Sequence, residues 1–152
     1  MRIWILVFAF ASSAFASSTF IPGAENKMVA KGVMSLSVLK IIDKGRKFDM
    51  KLAIRNDNNQ TGIIVFFSDM SCQRAGTPGR LKYSLFGIGE RTIDFRPGQQ
   101  KEMSMVCETE GTKKGPFKLM VAKIYDNPSL DGKTVGKVIA NDLTWEQDDR
   151  QN

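Results

Sequence analysis

Histidine is absent from the 152-residue chain, and cysteine occurs only at Cys72 and Cys107. Without imidazole there is no Ser-His or Cys-His nucleophile pair and no His-ligated zinc or copper site. The Cys-x-x-Cys spacing of redox motifs is missing as well. No stretch sustains a helical period, no internal repeat is visible, and no linker rich in Pro, Gly or Ser divides the chain. The composition (42% hydrophobic, 25% charged) is that of one ordinary globular domain. Acid–base catalysis by carboxylates finds no support either. Glu90, Asp94, Glu102, Glu108 and Glu110 fall at turns or on polar strand faces, and nothing sets two of them across a cleft. The chain is expected not to be an enzyme and to need no cofactor.

One long apolar run is present, at the N-terminus. Arg2 precedes the apolar residues Ile3 to Ala11, and Ala14-Phe15-Ala16 fits the small-x-small rule for signal peptidase. The run is too short to span a bilayer, which takes roughly 20 residues. Residues 1–16 therefore read as a cleaved signal peptide, and the mature protein as periplasmic or secreted, with no membrane span. Export places Cys72 and Cys107 in an oxidising compartment and predicts a disulfide between them.

Residues 17–32 are mixed and polar and read as an extended lead-in. From residue 33 the alternation has period two. Met34, Leu36 and Val38 alternate with serines, and the strand continues to a turn at Asp43-Lys44-Gly45. Phe48, Met50, Leu52 and Ile54 alternate with Asp49, Lys51, Ala53 and Arg55. Ile63 to Phe67 is a continuous apolar run suited to a covered strand. Further strands are expected at Leu81–Leu85, Ile93–Phe95, Met103–Cys107 and Phe117–Tyr125, with one or two more between Val135 and Trp145. The expected fold is an all-β antiparallel sandwich of about eight or nine strands over residues 33–145, and residues 146–152 form a polar tail.

Strands around the turn Pro97-Gly98-Gln99, followed by an alternating strand and then Phe117-Lys118-Leu119, resemble small exported bacterial domains with an immunoglobulin-like sandwich. The resemblance implies a two-sheet sandwich and carries no functional residue. Antibody-type domains also place a Trp between the paired cysteines; none lies between Cys72 and Cys107 here.

The net charge of +6 is unevenly placed. Between Asn26 and Arg55 stand Lys27, Lys31, Lys40, Lys44, Arg46, Lys47, Lys51 and Arg55 against only Asp43 and Asp49, whereas residues 56–152 are neutral overall. A basic hairpin of Lys40, Lys44, Arg46, Lys47, Lys51 and Arg55 can attract an anionic polymer or an acidic protein, or simply keep an edge strand soluble. Nucleic acid is a poor fit, because no exposed aromatic residues interleave with the cations as stacking platforms. The second candidate surface is the stretch Asp69 to Arg80, read as a loop pinned by Cys72, with Gln73, Arg74 and Arg80 as its binding side chains.

Three other features yield less. Asn56, Asn58 and Gln60 offer oxygens at alternate positions, but Thr61 stands where a calcium loop needs Gly. Gly87-Ile88-Gly89 has no following helix to cradle a phosphate. Met103, Met105 and Cys107 share one strand face, a sulfur set suited to Cu(I). The leading expectation is thus a monomeric, non-enzymatic exported binding domain for a partner protein or an anionic envelope polymer, with no metal. A soft-metal (copper) carrier and an inhibitor of exported hydrolases that uses the pinned loop are the alternatives.

Overall fold

Alternation becomes strand wherever one face can be buried. The computed structural model describes residues 19–20, 27–83, 91–111, 114–131 and 133–147. Among them are eleven strands and one short 3-10 turn, Phe67–Asp69. The strands are β1 (Thr19–Phe20), β2 (Lys27–Lys31), β3 (Met34–Asp43), β4 (Lys47–Asn56), β5 (Gly62–Phe66), β6 (Met70–Arg74), β7 (Thr77–Tyr83), β8 (Thr92–Phe95), β9 (Gln100–Thr109), β10 (Phe117–Asn127) and β11 (Val138–Glu146). Residues 1–16, expected as a signal peptide, lie outside the described residues, as do Leu85, Gly87-Ile88-Gly89 and Glu90.

All the pairings are antiparallel, and the ladders run without a break in the order β1-β3-β4-β9-β7-β6-β10-β5-β8. β2 pairs with β3 and β11 with β10, off that path. Within the ladder, β7 is a seam. Its Gly79 pairs with Cys72 of β6 on one side and Thr109 of β9 on the other. In a flat sheet, strands two apart stand about 9–10 Å from each other. Cys72 and Cys107 nevertheless have Cα atoms 6.2 Å apart and are joined by a disulfide. The sheet is therefore folded sharply along β7, and the disulfide crosses directly over Gly79. A Cβ on Gly79 would lie 2.6 Å from Cys107 Sγ and 3.0 Å from Cys72 Sγ, so glycine is required by the close approach.

Folding at the seam brings the two halves together around one core. From β3, β4 and β9 come Met34, Leu36, Val38, Phe48, Met50, Leu52, Ile54, Met103 and Met105; from β10 and β11 come Phe117, Leu119, Val121, Leu143 and Trp145. The Phe117 ring joins the halves, 5.3 Å from Phe48 and 6.2 Å from Trp145 between centroids. β11 and β2, each with one partner strand among the described residues, come close to one another without pairing.

Several details depart from the sequence expectation. The lead-in contributes β2, which pairs with β3 through a turn at Gly32 (φ +63°). The stretch Asp69–Arg80 is not a loop. It is mostly the hairpin β6–β7, closed by Ala75 and Gly76, both at positive φ, as a tight two-residue turn requires. Ala75 is a poor sequence signal for that backbone, and the turn is steadied by its N–H donating to Pro116 O at 2.9 Å. The end of the chain forms one strand, β11. The first two tail residues are ordered in it or against it: Glu146 ends β11, and buried Gln147 donates its N–H to Phe117 O at 2.9 Å.

Candidate functional site

Side chains that do not face the core form the outer face of β3, β4, β9 and β7. Strict alternation in β3 would point Lys40 inward behind Met34, Leu36 and Val38. A β-bulge prevents this. Val38 pairs with Leu52 and Lys40 with Lys51, leaving Leu39 without a partner. Lys40 is consequently exposed and Ile41 buried. The bulge re-aims one cation to stand directly opposite another, a use to which bulges beside binding sites are put.

The cross-strand register gives the rest of the face as rows. Lys40, Lys51 and Ser104 form one row; Ile42, Asp49, Val106 and Lys82 form the next; Lys47, Glu108 and Arg80 form the third. Between the first two rows lies a shallow groove of about 350 Å³, lined by Lys40, Ile42, Asp49, Lys51, Ser104 and Val106 along with the strands beneath them. A smaller polar dimple of about 140 Å³ continues the face at Ser35, Ser37, Ala53, Arg55, Asp57 and Gln100.

Much of the positive charge is balanced locally. Lys51 pairs with Glu102 (2.6 Å), Lys47 with Glu108 (3.0 Å), Arg55 with Asp57 (2.9 Å) and Lys44 with Asp49, while Lys82 joins Lys47 on Glu108. Hydrogen bonds from Lys82 and Lys47 hold the Glu108 carboxyl down to about 2. Lys40, Arg46 and Arg80 have no ion-pair partner among the described residues. Lys40, Lys44, Arg46, Lys47, Lys51, Arg55, Arg80 and Lys82 stand on this face and its turn against Asp43, Asp49, Asp57, Glu102 and Glu108, a surplus of three positive charges.

No protein-family model matches the chain, and no curated protein matches it. A solved structure does. The fold is similar, at a TM-score of 0.52 and 10% identity, to a chain described as a lipoprotein (ycdA) from Bacillus subtilis subsp. subtilis str. 168. The match covers 83% of this chain and 39% of that one, so it spans well under half of the other protein. At that identity the likeness is one of fold.

The structure gathers the basic-hairpin residues and Arg80 on this one face and separates the other two loop candidates from it. Gln73 lies behind, half-buried beside Lys118 of β10. Arg74 is buried: it pairs with Asp43 at 2.7 Å, donates to Gly45 O at 2.8 Å and lies 4.4 Å over the Phe48 ring. It clamps the β3–β4 turn and is not available to a ligand. Cys107 is in the disulfide, with Met103 and Met105 in the core, so no thiolate completes a sulfur site. Asn58 Oδ1 accepts from the N–H groups of Gln60 and Thr61, and buried Asn56 ties its loop to Thr61 O and Arg96 O. These oxygens and amides serve the turn. Asp131 is likewise occupied: bonds from the Thr134 N–H and hydroxyl and the Lys133 N–H hold its carboxyl down to about 2. Another open cleft, lined by Phe66, Phe67, Ser68, Tyr83 and Arg91, has its aromatic surface partly used up, because Phe67 stacks on Tyr83 with centroids 3.6 Å apart.

Sequence reasoning missed Ile42, Glu102, Ser104, Val106 and Lys82 as parts of the site. The alternation of Glu102, Ser104, Val106 and Glu108 with Met103, Met105 and Cys107 did mark them as one face. What was not readable was that this face lies beside β4.

Proposed function

We propose that the chain is a non-enzymatic, exported binding domain that engages an anionic partner through the outer face of β3, β4, β9 and β7. The observation that carries this reading is the bulge at Leu39, which sets Lys40 opposite Lys51. Like charges directly opposite each other weaken a sheet. Their placement on a face with a positive surplus is better explained by a ligand than by stability. Export rests on the signal-peptide pattern, and among the described residues no helix is long and apolar enough to cross a membrane. An immunoglobulin-like arrangement belongs to the same proposal, supported by two packed halves and a disulfide between them.

Retention on immobilised polyglutamate in a salt gradient tests the reading. Reversal of both central cations, K40E/K51E, is expected to lower the eluting salt concentration sharply. The same charge change at exposed Lys123 and Lys133, away from this face, is expected to lower it little. Equal losses from the two double variants would reduce the interaction to net charge and sink the reading.

A further inference from the structure

We propose that the groove between the Lys40–Lys51 row and the Ile42–Val106 row docks a protein segment that presents an apolar side chain flanked by carboxylates. This rests on the outer face being the binding surface and names the class of partner. Two features of the groove distinguish such a partner from a uniform polyanion.

The first is its floor. Ile42 and Val106 flank Asp49 in one cross-strand row of an outward face whose other paired side chains are charged, small and polar, or Ala53, and both are only half-buried. A polymer of phosphates or sulfates gains nothing from them. An apolar side chain laid in the groove against either of them removes its own surface and theirs from water. The second is the rim. Lys40 and Lys51 stand one row away and Lys82 is in register with Val106, but Asp49 lies between Ile42 and Val106, and Glu102 and Glu108 follow nearby. An evenly charged chain meets repulsion at each of these carboxylates. A peptide can set its carboxylates against Lys40, Lys51 and Lys82 and turn backbone N–H groups toward Asp49. Apolar side chains interleaved with charges that a partner can match are what a protein segment, and not a uniform polyanion, can use.

The test uses the purified protein and three probes: an acidic peptide of Glu and Ser with one central Leu, its twin with Ser in place of the Leu, and linear inorganic polyphosphate. Affinities and backbone amide shifts are read by NMR titration. The Leu peptide is expected to bind about fivefold or more tightly than its twin and to shift the amides of Lys40, Ile42, Lys51 and Val106. Val106→Ser or, independently, Ile42→Ser is expected to erase that preference and leave the weaker charge-driven binding in place. If the twin or polyphosphate binds as well as the Leu peptide, and neither variant changes the ranking, this inference fails while the anionic-partner reading stands. If no probe moves these amides, both fail. Self-association that shifts the same amides with rising protein concentration would assign the groove to a second copy of the chain and overturn the proposal.

Discussion

Arg74 and Arg80 stand six residues apart in one hairpin and do opposite things. Arg74, at the end of β6, is 6% exposed and held by Asp43, Gly45 and the Phe48 ring, with only its Nε left without a hydrogen bond. Arg80, on β7, is exposed and has no ion-pair partner among the described residues. The residue type is the same; the solvent is not. Removing a buried cation leaves its carboxylate partner desolvated and unmatched, whereas removing an exposed one leaves water to solvate what remains. Mutation effects should therefore divide the molecule into an interior clamp that governs stability and an outer face that governs binding.

The largest expected effect breaks the clamp. Arg74→Met keeps an unbranched side chain of similar length but removes the guanidinium from over the Phe48 ring and leaves Asp43 only the Gly45 N–H, and loss of one partner of a buried pair costs about 3–5 kcal/mol. Adding Asp43→Asn in the same chain should recover part of that loss. Urea midpoints of the single and double variants check it; an R74M protein as stable as the parent would place the stabilisation elsewhere. Next comes the seam. Replacing Cys72 and Cys107 together by Ala removes a cross-link closing a loop 35 residues long, worth about 3–4 kcal/mol on the chain-entropy account. Non-reducing and reducing melts of the parent should differ in the same direction.

The outer face should respond much less. Glu108 is held down to about 2 from an ordinary value of 4.5 by Lys82 and Lys47. A carboxyl lowered in the folded state adds stability above about pH 4.5 and loses that contribution as pH falls toward 2. Glu108→Gln should therefore flatten the dependence of the urea midpoint on pH across that window. At neutral pH the midpoint should fall only slightly, because Glu108 is open to solvent and screened. A loss at neutral pH as large as that of R74M would mean that the Lys47–Glu108–Lys82 cluster is structural after all.

This division was only half legible in the sequence. Strands β3, β4, β5, β8, β9 and β10 were readable because one face of each carries an apolar or continuous apolar pattern. Cys72 and Cys107 were readable as a pair because no third cysteine competes. Arg74 was misread because the β6–β7 turn uses Ala75 rather than Asn or Gly, so a tight hairpin looked like a loop and a buried cation like a surface one. The outer face was half-seen. The cations of the hairpin follow from β3, β4 and their turn, but the partners of Lys47 and Lys51 sit on β9, roughly fifty to sixty residues away, and only the register between non-consecutive strands brings Lys51 to Glu102 and Lys47 to Glu108. The bulge was equally hidden. The run Val38-Leu39-Lys40-Ile41 breaks the alternation, yet nothing local says which residue is extra.

The smallest expected stability effect is the most discriminating for function. Lys40 faces Lys51 across the bulged pair and has no carboxylate of its own among the described residues. Lys40→Thr removes that repulsion and places a β-branched residue on an exposed strand position. The urea midpoint should stay level or rise by a few tenths of a kcal/mol, while retention on polyglutamate falls. Stability and binding would then move in opposite directions at a single residue, as expected of a side chain held in place for a ligand and against the interest of the sheet. A drop in stability of about 1 kcal/mol or more would show instead that the Lys40 stem covers apolar surface. Lys40 would then belong with Arg74, on the structural side of the comparison.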